Sequence, residues 1–264
     1  MEDKMETQIN SHDLQKKITC CLETLALETD EARRSESMQK YLEFASKFHS
    51  YSPTNIMLIL LSKPEATNVA GFQTWKKMNR FVRKGERGIP IFAPMVYKEN
   101  PDNDDSPKVL SGFRIVYVFD ISQTDGSPLP PAPDWKSPEK NEDLKNKLIA
   151  FAKSKSIEVT FKDLPGEVQG VSKGGLIEID SSAGTKTLIH EIAHELMHQN
   201  GNCLSDRSIK ELEAESVAYV VAKHFGLEQL KSGNYLVLNN VSRKDFLISL
   251  ERIQKTASEI IGKL

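Results

Sequence analysis

HEIAHELMH, residues 190–198, places three of the chain's six histidines in nine positions. Leu188, Ile189, Ile192, Ala193, Leu196 and Met197 around them recur at helical spacing, so the segment reads as a helix with one apolar face. Residues four apart share a helix face, so His190 and His194 can reach one Zn2+ at about 2.0–2.1 Å. Glu191, beside the first histidine, is then placed to hold and deprotonate a water. The motif contains a second, overlapping frame, because His194-Glu195-Leu196-Met197-His198 has the same spacing. His190 and His198 are separated by about 12 Å along a helix axis and cannot share one coordination shell. Spacing leaves the choice of frame open. A third protein ligand is needed to leave one position for water, and Glu211-Leu212-Glu213-Ala214-Glu215 follows one loop later. Glu211 and Glu215 lie on one helix face, and Ala214 and Ala218 allow close helix approach. Either glutamate can be the ligand while the other orients a histidine from outside.

Working outward from this helix, Leu176–Asp180 reads as an edge strand able to take an extended peptide by backbone hydrogen bonds. Tyr235 is a candidate donor to the oxyanion of a tetrahedral intermediate, and His224 reads as structural. Helical spacing covers residues 143–153, 186–199, 206–225 and 242–261, with a further strand at 157–161. SPLPPAPDWKSP, residues 127–138, carries five of the chain's 12 prolines, a density that excludes helix interior and central strand. It is read as the linker between two domains.

The N-terminal half reads as helices over 38–48, 53–61 and 73–81, then β-rich segments at 89–97 and 113–119 separated by a polar loop. Ser52 is a candidate N-cap, and Pro53 suits a first helical position. From Lys63 to Lys98 eight Lys/Arg stand against two acids, a local balance of +6 in a chain of net charge −2. That asymmetry points to a polyanion site, with Lys63, Trp75, Lys76, Lys77, Arg80, Arg83, Lys84 and Arg87 as candidate DNA-binding residues. Phe72, Trp75 and Phe81 interleave with the charges as single-stranded nucleic acid sites require, although each ring taken singly reads as core. Gly85 and Gly88 let the RKGERG segment turn tightly and present amides to phosphate.

With 264 residues, 39% hydrophobic and 27% charged, the composition is that of an ordinary globular protein and excludes a disordered tail, a collagen and a disulfide miniprotein. Three cysteines, Cys20, Cys21 and Cys203, form no metal-binding or disulfide spacing. No apolar run approaches a membrane span or a signal peptide, so the expectation is a soluble, cytoplasmic protein with no membrane partner.

The histidine segment followed by ELEAESVAYVVAKHFG resembles metallopeptidases of the ImmA/IrrE type and, more closely, the C-terminal zincin domain of ArdC-like antirestriction proteins. YLEFASKFHSYSPTN, GFQTW, RKGERG and VYVFD, in that order over 38–124, resemble their N-terminal single-stranded-DNA-binding domain. The resemblance implies an α+β protein with four parts: an extension at 1–37, a DNA-binding domain at 38–126, the linker, and a gluzincin-type metallopeptidase domain at 139–264. It further implies one Zn2+ per chain held by His190, His194 and Glu211, with Glu191 as general base, while Glu215 or His198 is the alternative or supporting group. The partners it implies are single-stranded DNA, with double-stranded DNA as a further candidate, and a DNA-associated or regulatory protein cleaved at peptide bonds. The competing expectation is a non-proteolytic DNA-binding antirestriction protein with the zinc domain as scaffold. Substrate identity and oligomeric state are not legible.

Overall fold

The computed structural model describes residues 12–14, 16, 18–20, 31–99, 106–129, 138–198, 207–227 and 243–264. Two compact units emerge: residues 1–22 with 54–129, and residues 23–53 with 130–264. No helix among the described residues is long and apolar enough to cross a membrane. Most of the prolines of the expected linker, with Tyr235, Cys21 and Cys203, lie outside the described residues.

The helix α1 (Glu31–Lys47) spans the start of the expected DNA-binding domain but belongs to the second unit. Its partner there is a later helix, onto which Met38, Leu42 and Ala45 turn a buried face. Residues 38–53, expected within the DNA-binding domain, thus group with the second unit, while residues 1–22 and 54–129 form the first.

The first unit comprises α2 (Pro53–Ser62), β1 (Val69–Gly71), α3 (Phe72–Lys77), β2 (Arg80–Val82), β3 (Ile89–Lys98), β4 (Lys108–Asp120) and β5 (Thr124–Gly126). The strands β1, β4 and β3 form one antiparallel sheet in that order, and β2 pairs with β5. Pro53 opens α2, as expected for a first helical position. Asn55 on that helix donates to Phe92 O and accepts from Phe92 N, each at 2.9 Å, so its amide stands in for a strand along the edge of β3. The helix expected to run to residue 81 ends at Lys77. Asn79 takes φ 56°, and Arg80–Val82 pair with β5 instead. The core gathers Ile56, Ile59, Trp75, Ile89, Ile91 and Val118, joined by Leu14 and Ile18 from the helical residues of the N-terminal extension.

Asp120 organises the end of β4. Its carboxylate accepts from the backbone N–H of Thr67, Asn68 and Ser122, and Gln123 Oε1 accepts from the Asp120 N–H. The FDISQT run is thus a capped turn that ties β4 to the residues entering β1.

The second unit adds α4 (Pro138–Ser154), β6 (Glu158–Lys162), β7 (Gly170–Ser172), β8 (Leu176–Asp180), α5 (Thr185–His198), α6 (Arg207–His224) and α7 (Arg243–Ile261). The strand order is β6-β8-β7, with β6 parallel and β7 antiparallel to β8. Leu176–Asp180, expected at a sheet edge, is central, because Gly170–Ser172 forms a short strand that the sequence pattern did not flag. In α6, Ala214, Val217, Ala218, Val220, Val221 and Ala222 are all fully buried, so the helix is apolar around most of its circumference. Such a helix needs neighbours on several sides, and α1, α5 and α7 all pack on it. Tyr219 donates to Glu43 Oε1 at 3.1 Å, and His224 Nδ1 lies 2.8 Å from Ser46 O, which gives His224 its structural role.

Candidate metal centre

The apolar stripe of α5 (Leu188, Ile189, Ile192, Ala193) is fully sequestered, and this turns His190 and His194 toward α6. Buried Ala214 and Ala218 let α6 come close, which brings Glu211 to both imidazoles. His190 Nε2 and His194 Nε2 are 3.0 Å apart, and Glu211 Oε2 lies 3.4 Å from each. Ligands on a tetrahedral ion with bonds of about 2.0–2.1 Å are separated by about 3.3–3.4 Å. The same triangle serves as a face of an octahedral shell with bonds of about 2.1–2.4 Å. Two imidazole nitrogens and a carboxylate oxygen converging on one point form a donor set that a divalent cation completes. Among the described residues, His190, His194 and Glu211 are the cluster that meets this geometry.

Around the triangle, Glu215 Oε2 lies 3.4 Å from His190 Nδ1, and Lys186 Nζ is paired to Glu215. Glu215 thus orients His190 from behind, while the Nε2 atom stays directed at the cluster. Burial works against a charged His190, but Glu215, Glu191 and Glu211 outweigh it and hold the imidazole above its ordinary value. Burial and neighbouring His190 both push His194 down. Glu215 stays below its ordinary value despite burial because His190 and Lys186 stabilise its charge.

Glu191 is buried, and burial raises its carboxyl above the ordinary range; His190 opposes the rise, and Glu211 and Glu195 add to it. Its room comes from Gly170 on β7. A Cβ at that position would stand 2.8 Å from both Glu191 Cγ and Oε1. Nothing in the sequence pattern marks Gly170, or Lys186 with it, because neither belongs to a recognisable motif.

The overlapping frame is committed elsewhere. Glu195 accepts from Ser172 Oγ at 2.7 Å and from the N–H of Gly174 and Gly175 at 2.8 and 2.7 Å, so the β7–β8 turn takes up its carboxylate. Gly174 and Gly175 both have positive φ, 78° and 87°, which aims their amides at it. His198 Nε2 lies 3.2 Å from Lys210 O and 3.7 Å from Glu213 Oε2. Burial, with His194 adding to it, pushes His198 down to about 4. Glu213, fully buried, is paired with Arg252 at 2.8 Å and accepts from Ser249 Oγ at 2.6 Å. The ELEAE run thus sends alternate glutamates to opposite sides of α6.

The candidate DNA-binding residues divide. Trp75 is 2% exposed and donates to Phe119 O at 2.8 Å, so it is a core residue with no face for a base. Arg80 is buried, its guanidinium donating to Thr124 Oγ1, Thr124 O and Ser127 O, and is not available to phosphate. Arg83 is held by Glu86 at 2.7 Å and Ser122 O at 2.6 Å, and Lys63 by Glu65 at 2.9 Å. Lys76, Lys77, Lys84 and Arg87 are exposed. Phe72 and Phe81, expected in the core, are exposed as well.

Among relatives, an uncharacterized protein of Bacillus anthracis is 27% identical over 87% of this chain, and the chain spans about half that protein's length, 48%. The metal-free crystal structure of antirestriction protein ArdC from plasmid R388 is 16% identical, with a TM-score of 0.46 over 81% of this chain and 85% of that one. The Mn(II)-bound structure of the same protein, also 16% identical, reaches a TM-score of 0.52 over 95% of this chain and 97% of that one, a likeness of fold. The family model for the N-terminal domain of anti-restriction factor ArdC matches residues 12–157, more than half of the sequence, and the chain belongs to that family.

Proposed function

We propose that this protein is a DNA-binding, metal-dependent peptide hydrolase of antirestriction type. The observation that carries the reading is the triangle of His190 Nε2, His194 Nε2 and Glu211 Oε2 beside the buried carboxylate of Glu191. The N2O donor set suits Zn2+. That an ArdC structure is Mn(II)-bound supports a divalent ion as cofactor. Such an ion, when bound, supplies Lewis acidity toward a scissile carbonyl and a water. The chain's own residues do the rest. Glu191, with its raised affinity for protons, takes a proton from the attacking water and passes it to the leaving amine. Glu215 keeps His190 oriented. Edge strand β7, beside Glu191, is the place where an extended peptide adds to the sheet, in place of the central β8. Membership of the ArdC family supports an antirestriction role and a DNA partner, single-stranded DNA in this reading.

Replacing Glu191 by Gln tests the proposal. The variant keeps the ligands and the metal and loses casein hydrolysis by at least 100-fold, the contribution of a positioned base. Protection of unmodified DNA from restriction is lost with it if hydrolysis is the mechanism. Protection that survives in Glu191→Gln identifies a non-proteolytic DNA-binding role with the metal domain as scaffold.

A further inference from the structure

The β3–β4 hairpin leaves a strip of apolar side chains open to water. In β4, Phe113, Ile115 and Tyr117 alternate onto one face, and their partners across the ladder are Pro94, Phe92 and Pro90. A bulge between Met95 and Val96 sets Gly112 beside Met95 and returns Leu110 and Val96 to the face of Phe113. Tyr117, Phe113, Leu110 and Val96 are 50%, 58%, 54% and 54% exposed. The opposite face carries Ile89, Ile91 and Val118 into the core.

Charge and geometry indicate the occupant. Residues 89–98 and 108–119 hold no acid; Lys98 and Lys108 are partners across the ladder, and Arg114 alternates to the opposite face. The basic RKGERG turn abuts the same face, since a Cβ on Gly88 would stand 2.8 Å from Tyr117 Cβ and 3.1 Å from Phe119 Cζ. Lys84 and Arg87 on that turn are exposed. The acids Glu99, Asp102, Asp104 and Asp105 fall in the sequence between β3 and β4. Exposed rings next to exposed cations suit a chain of bases and phosphates. Tyr117 and Phe113, four residues apart on one strand, are separated by about 13 Å, so each ring takes its own base. A peptide adding to the edge of β3 meets Asn55, which already occupies the N–H and C=O of Phe92.

We propose that single-stranded DNA lies on this face, with bases stacked on Tyr117 and Phe113 and phosphates led toward Lys84 and Arg87. The proposal rests on the DNA-binding reading above and moves the bases from α3, where Trp75 is buried, to the sheet.

The test is anisotropy of a fluorescein-labelled 20-nucleotide oligo(dT) titrated with the full chain and its variants. Phe113→Ala and Tyr117→Ala each weaken binding about five-fold or more, whereas Phe72→Ala and Phe81→Ala change it less than two-fold. Lys84→Ala and Arg87→Ala each lower the salt slope by about one. Tyr117→Trp retains affinity, and the emission of the new indole is quenched by the oligonucleotide, a readout that does not depend on loss of binding. Wild-type binding with Phe113→Ala and Tyr117→Ala unchanged overturns the inference and leaves the DNA-binding reading intact. No binding by wild type overturns both. Equal loss of affinity for anionic phospholipid vesicles, or loss of self-association, in Phe113→Ala without a change in oligonucleotide binding also overturns it, in favour of a membrane or a second copy.

Discussion

Glu191 and Glu195 are four residues apart on one helix and have equivalent places in two overlapping motifs, yet their surroundings give them different work. Glu195 has three donors from the β7–β8 turn, and Glu191 faces Gly170 and the histidine cluster. Removing the Glu195 charge leaves those donors with a weaker, partly mismatched acceptor, so Glu195→Gln lowers stability by about 2–3 kcal/mol in urea unfolding. Glu191→Gln, which breaks no such network, stays within about 1 kcal/mol of wild type. Gly170→Ala addresses the room that Glu191 needs. The added methyl has nowhere to go except against the carboxylate, so casein hydrolysis falls ten-fold or more while the metal content holds. A hydrolysis rate unchanged in Gly170→Ala contradicts the placement of Glu191 as base. The spacing of residues 190–198 announced a candidate metal helix but could not separate the frames, because the partners that take up Glu195, namely Ser172, Gly174 and Gly175, lie about twenty residues upstream without a motif.

At the scale of elements, the long helices and the strands β3, β6 and β8 were readable from periodicity, since a helical stripe or an alternating run is a local signal. The short strands were not. β1, β5 and β7 are three residues each, and what makes them strands is a partner far along the chain. The same cause ended α3 early: Arg80–Val82 carries apolar residues that continue a helical pattern, but pairing with β5 and the donors spent by Arg80 prevail. The VYVFD run was legible as a strand, whereas the role of its last residue was not. Asp120 is buried, and burial alone would raise its carboxyl. The hydroxyl and N–H of Ser122 and the N–H groups of Thr67 and Asn68 more than reverse this and hold it below the ordinary 3.8. A folded-state value below the unfolded one means that the unfolded chain binds the proton first as pH falls. The contribution of Asp120 is therefore complete above about pH 4 and drains away as pH drops through the folded value. The urea midpoint followed by tryptophan emission is expected to fall as pH drops below about 4, and Asp120→Asn is expected to flatten that fall while lowering the plateau above it.

At the scale of the whole molecule, two units share one chain in a segmented way. Residues 23–53 and 130–264 form the unit that holds the candidate metal centre, and residues 54–129 with the N-terminal residues form the other. The helix over 38–48 was readable as a helix, but its membership was not, because an amphipathic stripe says that a face is buried and not against what. The largely buried circumference of α6 claims α1, and so groups the helix at 31–47 with the later unit. The +6 segment remains the electrostatic signature of the first unit, although Arg80 is buried and Lys63 and Arg83 are ion-paired; Lys76, Lys77, Lys84 and Arg87 are exposed. Everything proposed for the second unit depends on the metal triangle, and metal content by elemental analysis tests it most directly, on wild type, His190→Ala and His198→Ala, each checked for folding. The account predicts about one divalent ion per chain in wild type and in His198→Ala, and none in His190→Ala; an ion retained in His190→Ala and lost in His198→Ala would contradict it.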